Sequence, residues 1–213
     1  MTGLDKAARL YSRIEHQADA TIHVLGFAFA LAASVWLLTH VSGAATVAAV
    51  SVYCTGLLAM IMASAAYNLA PGGTLKDILR RFDHSAIFVM IAATYTPFAA
   101  DRLGYPVGDM ILALVWSAAA AGVALKMLFP RRFEKVSIAL YLAMGWLIVT
   151  AIKPLAASVA AVDFWLLIVG GLIYSAGVAF YLIERIPFHK AIWHGFVLAA
   201  AVLHFAAIAI EFT

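Results

Sequence analysis

Long apolar blocks separated by short polar segments fill most of the 213-residue chain. A block of about 20 apolar residues crosses a hydrocarbon core of roughly 30 Å as a helix. Because lipid offers no partner for backbone N–H and C=O groups, helices suit this pattern, and the short alternating strands of a barrel do not. The pattern predicts an all-α, seven-transmembrane-helix bundle. The expected spans are 20–40, 44–68, 82–101, 107–129, 136–152, 160–183 and 190–210.

The composition agrees with an integral membrane protein. Hydrophobic residues make up 65% of the chain and charged residues 12%, against about 45–50% and 25% in soluble domains. No linker or repeat interrupts the sequence, so residues 1–213 are expected to form one membrane domain. The charged segment before the first span does not have the form of a cleavable signal peptide. Cys54 is the one cysteine, which excludes a disulfide framework and a cysteine-rich metal cluster.

Basic residues are distributed unequally between the two sides of the predicted bundle. When seven spans are counted, 12 of the 14 lysines and arginines fall on one side, and Arg102 and Lys153 fall on the other. Under the positive-inside rule this asymmetry predicts a cytoplasmic N-terminus and a C-terminus outside. The net charge of +3 comes from basic residues in short loops beside the spans, where they set the orientation in the membrane. It therefore does not indicate a nucleic-acid partner.

Polar residues gather at the predicted cytoplasmic ends of four spans. Glu15, Asp19 and His23 lie four residues apart and share one helix face. The other members of this group are Ser64, Asn68, Asp83, His84, His189, Lys190 and His194. Ionisable groups inside a membrane bundle are costly, so several of them at one depth indicate a functional site.

Each of these residues also has a purely structural interpretation. Asp83 is placed to cap a helix or to pair with Arg80 and Arg81. His23 or His194, considered alone, is more typical of a packing histidine with its hydrogen bonds satisfied. The convergence of several such residues is the feature that favours a site.

Several motifs resemble the bacterial hemolysin III proteins. They are "SAAYN" at 64–68, "LRRFDHSAIFVMIAATYTPF" at 79–98, "ALYLAMGWLIV" at 139–149 and "IPFHKAIWHGFVLAAAVLHF" at 186–205. That family is related to the progestin and adiponectin receptors and more distantly to the alkaline ceramidases. The resemblance implies a seven-helix protein of the bacterial cytoplasmic (inner) membrane whose partners are membrane lipids, with a lipid as its ligand.

The resemblance also implies a zinc site formed by a Ser-x3-His motif, an Asp and a His-x3-His motif. Ser64, Asp83 and His194 match three of these positions, but Asn68 and Lys190 stand where two histidines are expected. Asparagine is a poor zinc ligand and a protonated lysine is none, so these positions alone do not form a three-histidine site. In a further motif, which runs from Glu15 to His23, Asp19 replaces an asparagine.

Two interpretations of the altered site stay open. In the first, His194 holds a metal ion and Asp83 polarises its water; His189 is a poor replacement ligand because it points about 100° away from its neighbour Lys190. In the second, the Lys190 ammonium pairs with Asp83 in place of a metal ion, unless Lys190 extends to the lipid headgroups instead.

The altered residues on an intact fold favour a membrane-homeostasis or lipid-sensing role. The first alternative is a lipid amide or ester hydrolase in which Ser64, Asp83 and His194 surround an activated water. Weaker alternatives are a cytolytic or an ion-conducting membrane protein. Against these, the spans are too apolar for a soluble toxin, and no polar chain continues to the outer side.

Overall fold

The computed structural model describes residues 13–213, and all regular secondary structure in that range is helical. This confirms the all-α class. The helices are α1 (Arg13–His40), α2 (Ala44–Leu69), α3 (Thr74–Phe98), α4 (Val107–Leu128), α5 (Glu134–Gly145), α6 (Ile152–Ser158), α7 (Ala161–Leu182) and α8 (His189–Phe212). A π-helical turn follows α3 at Ala99–Leu103, and a 3-10 turn joins α5 to α6 at Leu147–Ala151.

Six helical stretches in the described range are long and apolar enough to cross a membrane. They are α1, α2, α4, the continuous stretch Glu134–Ser158, α7 and α8. Helix α3 is not among them because its first turns carry several charged residues, although it packs between α2 and α4. The protein is therefore a membrane protein, whereas the crossing by α3 and the sidedness of the termini stay predictions.

The first and last long helices meet and close the bundle. Helix α1 contacts both α2 and α8, and α8 packs along α7. One hydrophobic core lies among α1, α2 and α8 and contains Tyr53, Leu57 and Ile208. A second core contains Phe88 of α3 with Ile111 and Val115 of α4. The contact between α1 and α8 brings residues together that lie about 170 positions apart in the sequence, for example Glu15 and Phe188.

Three expected helix boundaries differ from the structure. Helix α1 already covers Arg13, whereas its span was expected from residue 20. Helix α3 begins at Thr74 rather than at residue 82, since its charged first turns extend the helix beyond the apolar block. The fifth span, expected at 136–152, is broken at the 3-10 turn and continues to Ser158. The Tyr95 hydroxyl donates to the carbonyls of Met144 and Gly145, each at 2.9 Å, and accepts the N–H of Ile148 at 3.0 Å. Tyr95 thus satisfies backbone groups that the break frees within the membrane.

We call the end of the bundle that holds Arg80, Lys126 and Arg131 the basic end. There Arg131 contacts Asp77 at 2.5 Å, which ties the loop after α4 to the start of α3. The polar residues considered next lie at this end.

Candidate functional site

Helices α1 and α8 are joined by polar contacts at the basic end. His194 Nδ1 lies 2.5 Å from Asp19 Oδ1, and the Asp19 side chain is almost fully buried. One turn earlier on α1, Glu15 Oε1 accepts the N–H of Phe188, the residue before α8, at 2.8 Å. The spacing of four residues puts both carboxylates on the face of α1 that meets α8.

His23 connects this pair to α2. Its Nδ1 donates to the main-chain carbonyl of Asp19 at 2.8 Å, which leaves Nε2 with its lone pair. That nitrogen lies 3.2 Å from Ser64 Oγ, so the serine hydroxyl donates to it. The rings of His23 and His194 meet edge to face with their centroids 4.5 Å apart.

Ser64 is also held by Asn68. The Asn68 amide donates to the Ser64 carbonyl at 3.0 Å and to its hydroxyl at 3.3 Å. Asp83 of α3, which is 9% exposed, interacts electrostatically with His194 and with the Ser64 hydroxyl. We use the term polar cluster for Asp19, His23, Ser64, Asp83 and His194.

An ion-pair network adjoins the polar cluster. His84 Nε2 lies 3.9 Å from Asp83, and His84 Nδ1 lies 3.7 Å from Glu134. Glu134 accepts from Arg80 and from Lys126, both at 2.9 Å. The sequence interpretation did not identify Glu134 or Lys126 as part of this network. The available signal was an acidic residue at the start of a span, next to loops rich in lysine and arginine.

His189 and Lys190 lie at the margin of this arrangement. His189 is half-buried at the start of α8, outside the polar cluster. Lys190 is exposed and interacts electrostatically with Asp19 and with Lys76. The pairing of Lys190 with Asp83 stays a prediction.

The donor set at the aligned zinc positions does not fit a metal ion. The Asn68 amide directs its NH2 group at Ser64, and the exposed Lys190 carries an ammonium group without a lone pair. Asp19, His23 and His194 do fit one, because each offers one ligand atom and these atoms all lie within 4.8 Å of one another. The described part of the chain thus holds a metal-compatible group that shares His194 with the expected positions and adds Asp19 and His23.

Comparison with known proteins decides the family. The family model described as Haemolysin-III related matches residues 12–205. The chain belongs to the Haemolysin-III related family. This confirms the resemblance inferred from the motifs, and the matched region covers every member of the polar cluster.

Members of the Haemolysin-III related family from bacilli match nearly the whole chain. The chain is 39% identical over 194 residues to a Hemolysin-3 homolog of Bacillus subtilis, covering 90% of this chain and 91% of that protein. It is 37% identical over 205 residues to Hemolysin-3 of Bacillus cereus, covering 94% of each. The human Monocyte to macrophage differentiation factor is 31% identical over 166 residues, covering 74% of this chain and 67% of that protein.

Proposed function

We propose that this chain hydrolyses an amide or ester bond of a membrane lipid at the polar cluster. The observation that carries the proposal is the meeting of two carboxylates, two imidazoles and a hydroxyl from four helices inside an apolar bundle. Burying such groups costs free energy, which a purely structural role does not require. We place the site in the cytoplasmic leaflet of a bacterial cytoplasmic membrane, and the positive-inside pattern of the sequence supports this part of the proposal.

The side chains of the polar cluster suit hydrolysis of a carbonyl compound. Asp83 is the carboxylate placed to take a proton from an attacking water and to pass it to the departing amine or alcohol. Ser64, whose hydroxyl donates to His23 and accepts from Asn68, would turn its proton from His23 to the carbonyl oxygen of a bound substrate. In this hydrolysis the oxygen of water bonds to the carbonyl carbon, and the carbon–nitrogen or carbon–oxygen bond breaks. The proton taken from water goes to the leaving amine or alcohol.

A lipid is the substrate class that fits the surroundings of the cluster. Large apolar side chains cover the outward faces of the helices that carry it. Val24 and Leu25, for example, follow His23 on α1 and are more than half exposed. These faces contact acyl chains in a bilayer. A substrate dissolved in the bilayer therefore meets these faces directly, whereas a charged soluble substrate does not.

The test compares membrane lipids from cells that lack the gene and from cells that express wild type, Asp83→Asn or Asp77→Asn. We expect a lipid product with wild type, and a fall of about 10²–10⁴-fold in its rate of formation with Asp83→Asn, since the acid–base group is lost. Asp77 is the matched control: it is an exposed carboxylate on the same helix and pairs with Arg131. Identical lipid profiles in all four strains, read by mass spectrometry, would contradict hydrolysis.

Lipid sensing without turnover is the second candidate function. Lys190 favours it, because this exposed ammonium interacts electrostatically with Asp19 of the cluster and carries the charge that attracts an anionic lipid headgroup. If sensing is correct, Asp83→Asn leaves lipid composition unchanged, while loss of the gene alters membrane fluidity or potential. Unchanged fluidity and potential in the deletion strain would count against this candidate.

A further inference from the structure

Three side chains with metal-binding chemistry lie together where α1 meets α8. Asp19 and His23 are at most 5% exposed, and His194 lies against both of them. Two imidazoles and one carboxylate form the donor set of many catalytic zinc sites, which leave the fourth position to water. Their ligand atoms lie within 4.8 Å of one another, close enough for one ion to reach all three after small side-chain movements.

We infer that this chain binds a divalent metal ion of the zinc type through Asp19, His23 and His194. Compared with the family pattern, this ligand set keeps one histidine of α8 and takes its other two ligands from α1. The positions on α2 and α8 that the pattern assigns to histidine, Asn68 and Lys190, take no part in metal binding.

The orientation of His23 supports this ligand set. Its Nδ1–H group donates to the carbonyl of Asp19 at 2.8 Å, a contact that fixes the ring and leaves Nε2 as the acceptor nitrogen. Its lone pair accepts the Ser64 hydroxyl, which an ion would replace. Histidines that bind metals commonly have the second ring nitrogen held in this way by a carbonyl or carboxylate. The ring is therefore ordered for ligation before any ion binds.

The contact between Asp19 and His194 is the second support. His194 Nδ1 lies 2.5 Å from Asp19 Oδ1, and an imidazole nitrogen and a carboxylate oxygen are both ligand atoms for zinc. Asp19 is an aspartate where the family motif has asparagine, so the chain gains a carboxylate at the site where it lacks two histidines. The gain offsets the loss of donor groups.

Binding of the inferred ion does not depend on the proposed function. A role of the ion in catalysis rests on the proposed hydrolysis. When bound, an ion of this type acts as a Lewis acid on a carbonyl or on water. The side chains around it keep their own tasks: Asp83 moves the proton, and Ser64 is released from His23 to face the carbonyl oxygen.

The test measures metal content of the full-length protein purified in detergent, after removal of metal by a chelator and reloading with zinc or cobalt(II). We expect one ion per chain in wild type, and an optical spectrum of the cobalt form with the intense d–d absorption of a four-coordinate ion. His23→Ala and His194→Ala are expected to lose the ion. Asp19→Asn is expected to bind it at least about tenfold more weakly.

His40→Ala is the matched control, because His40 is an exposed histidine at the opposite end of the same helix. Metal content equal to wild type is expected for it, and also for His189→Ala and Asn68→Ala. Wild type without metal after reloading, or metal retained in Asp19→Asn at unchanged affinity, would overturn the inference. The elution volume in gel filtration and the melting temperature identify any variant that fails to fold. If His23→Ala fails to fold, the metal affinity of Asp19→Asn tests the ligand set.

The results for metal and for lipid separate the two proposals. A bound ion with unchanged lipids contradicts the hydrolase and leaves the ligand set supported. A lipid product that depends on Asp83, formed by protein that binds no metal, contradicts the ligand set and leaves the hydrolase supported.

Discussion

At the scale of single residues, the chemistry of the basic end depends on where charges are buried. Lys126 is 3% exposed, and its ammonium contacts Glu134 at 2.9 Å. Glu134 also accepts from Arg80 and lies near His84, the neighbour of Asp83. A buried ammonium is tolerated only with such a partner, so Glu134 stabilises the ends of α3, α4 and α5 together.

Replacement of Glu134 by glutamine should destabilise the protein by about 2 kcal/mol, because Lys126 then keeps a buried charge without a counter-ion. The estimate lies below that for a fully buried pair, since the Glu134 side chain is 32% exposed. The measurement is the midpoint of thermal unfolding in detergent. Glu184→Gln, at an exposed position, serves as the control. Equal midpoints for Glu134→Gln and wild type would show that the network has no stabilising role.

Some site residues were predictable from the sequence and others were not, for a physical reason. The i, i+4 spacing of Asp19 and His23 already places them on one face, and the motifs pointed to Ser64, Asp83 and His194. The contact between Asp19 and His194 depends on which helices are neighbours, and no local pattern encodes that. The sequence therefore suggested Lys190 as the partner of an aspartate but did not identify Asp19 as the partner of His194.

At the scale of helices, close packing at glycine positions sets the distance between α3 and α4. A Cβ atom added at Gly122 of α4 would lie 2.5 Å from the ring of Phe88, which is fully buried on α3. Phe88 packs on Tyr141, and the Tyr141 hydroxyl donates to the carbonyl of His84 at 2.7 Å. The absence of a side chain at Gly122 thus allows the packing that positions the start of the α3 apolar segment.

Gly122→Ala should destabilise the protein by about 1–3 kcal/mol, because the Phe88 ring has to move within a packed core. The check is again the unfolding midpoint, with Gly145→Ala as the matched control, since a Cβ atom there meets nothing within 4 Å. A Gly122→Ala midpoint no lower than that of the control would contradict the close packing of α3 and α4.

The apolar blocks predicted most helices well and the breaks poorly. The thickness of the hydrocarbon core sets the length of each apolar helix. The ranges of α2, α4 and α7 therefore agree with expectation to within a few residues. The early start of α3 and the 3-10 turn at Leu147–Ala151 lie where hydropathy carries little information. The turn depends on Tyr95, a residue some 50 positions away, which the local sequence does not show.

At the scale of the whole molecule, the account depends on closure of the bundle by its first and last long helices. Closure brings Asp19 and His23 of α1 to His194 of α8, next to Ser64 and Asp83. Without it, the carboxylate and the imidazole would face lipid separately, and neither the hydrolase nor the metal site would have a physical basis.

Cross-linking in native membranes tests this closure most directly. In a Cys54→Ser background, cysteines replace Asp19 and His194, and a short reagent that joins two thiols is added before analysis of linked peptides by mass spectrometry. The account predicts efficient linkage, because His194 Nδ1 lies 2.5 Å from Asp19 Oδ1 in the native protein. It predicts no linkage for cysteines at positions 40 and 194. Failure to link the first pair, or equal linkage of both pairs, would contradict it.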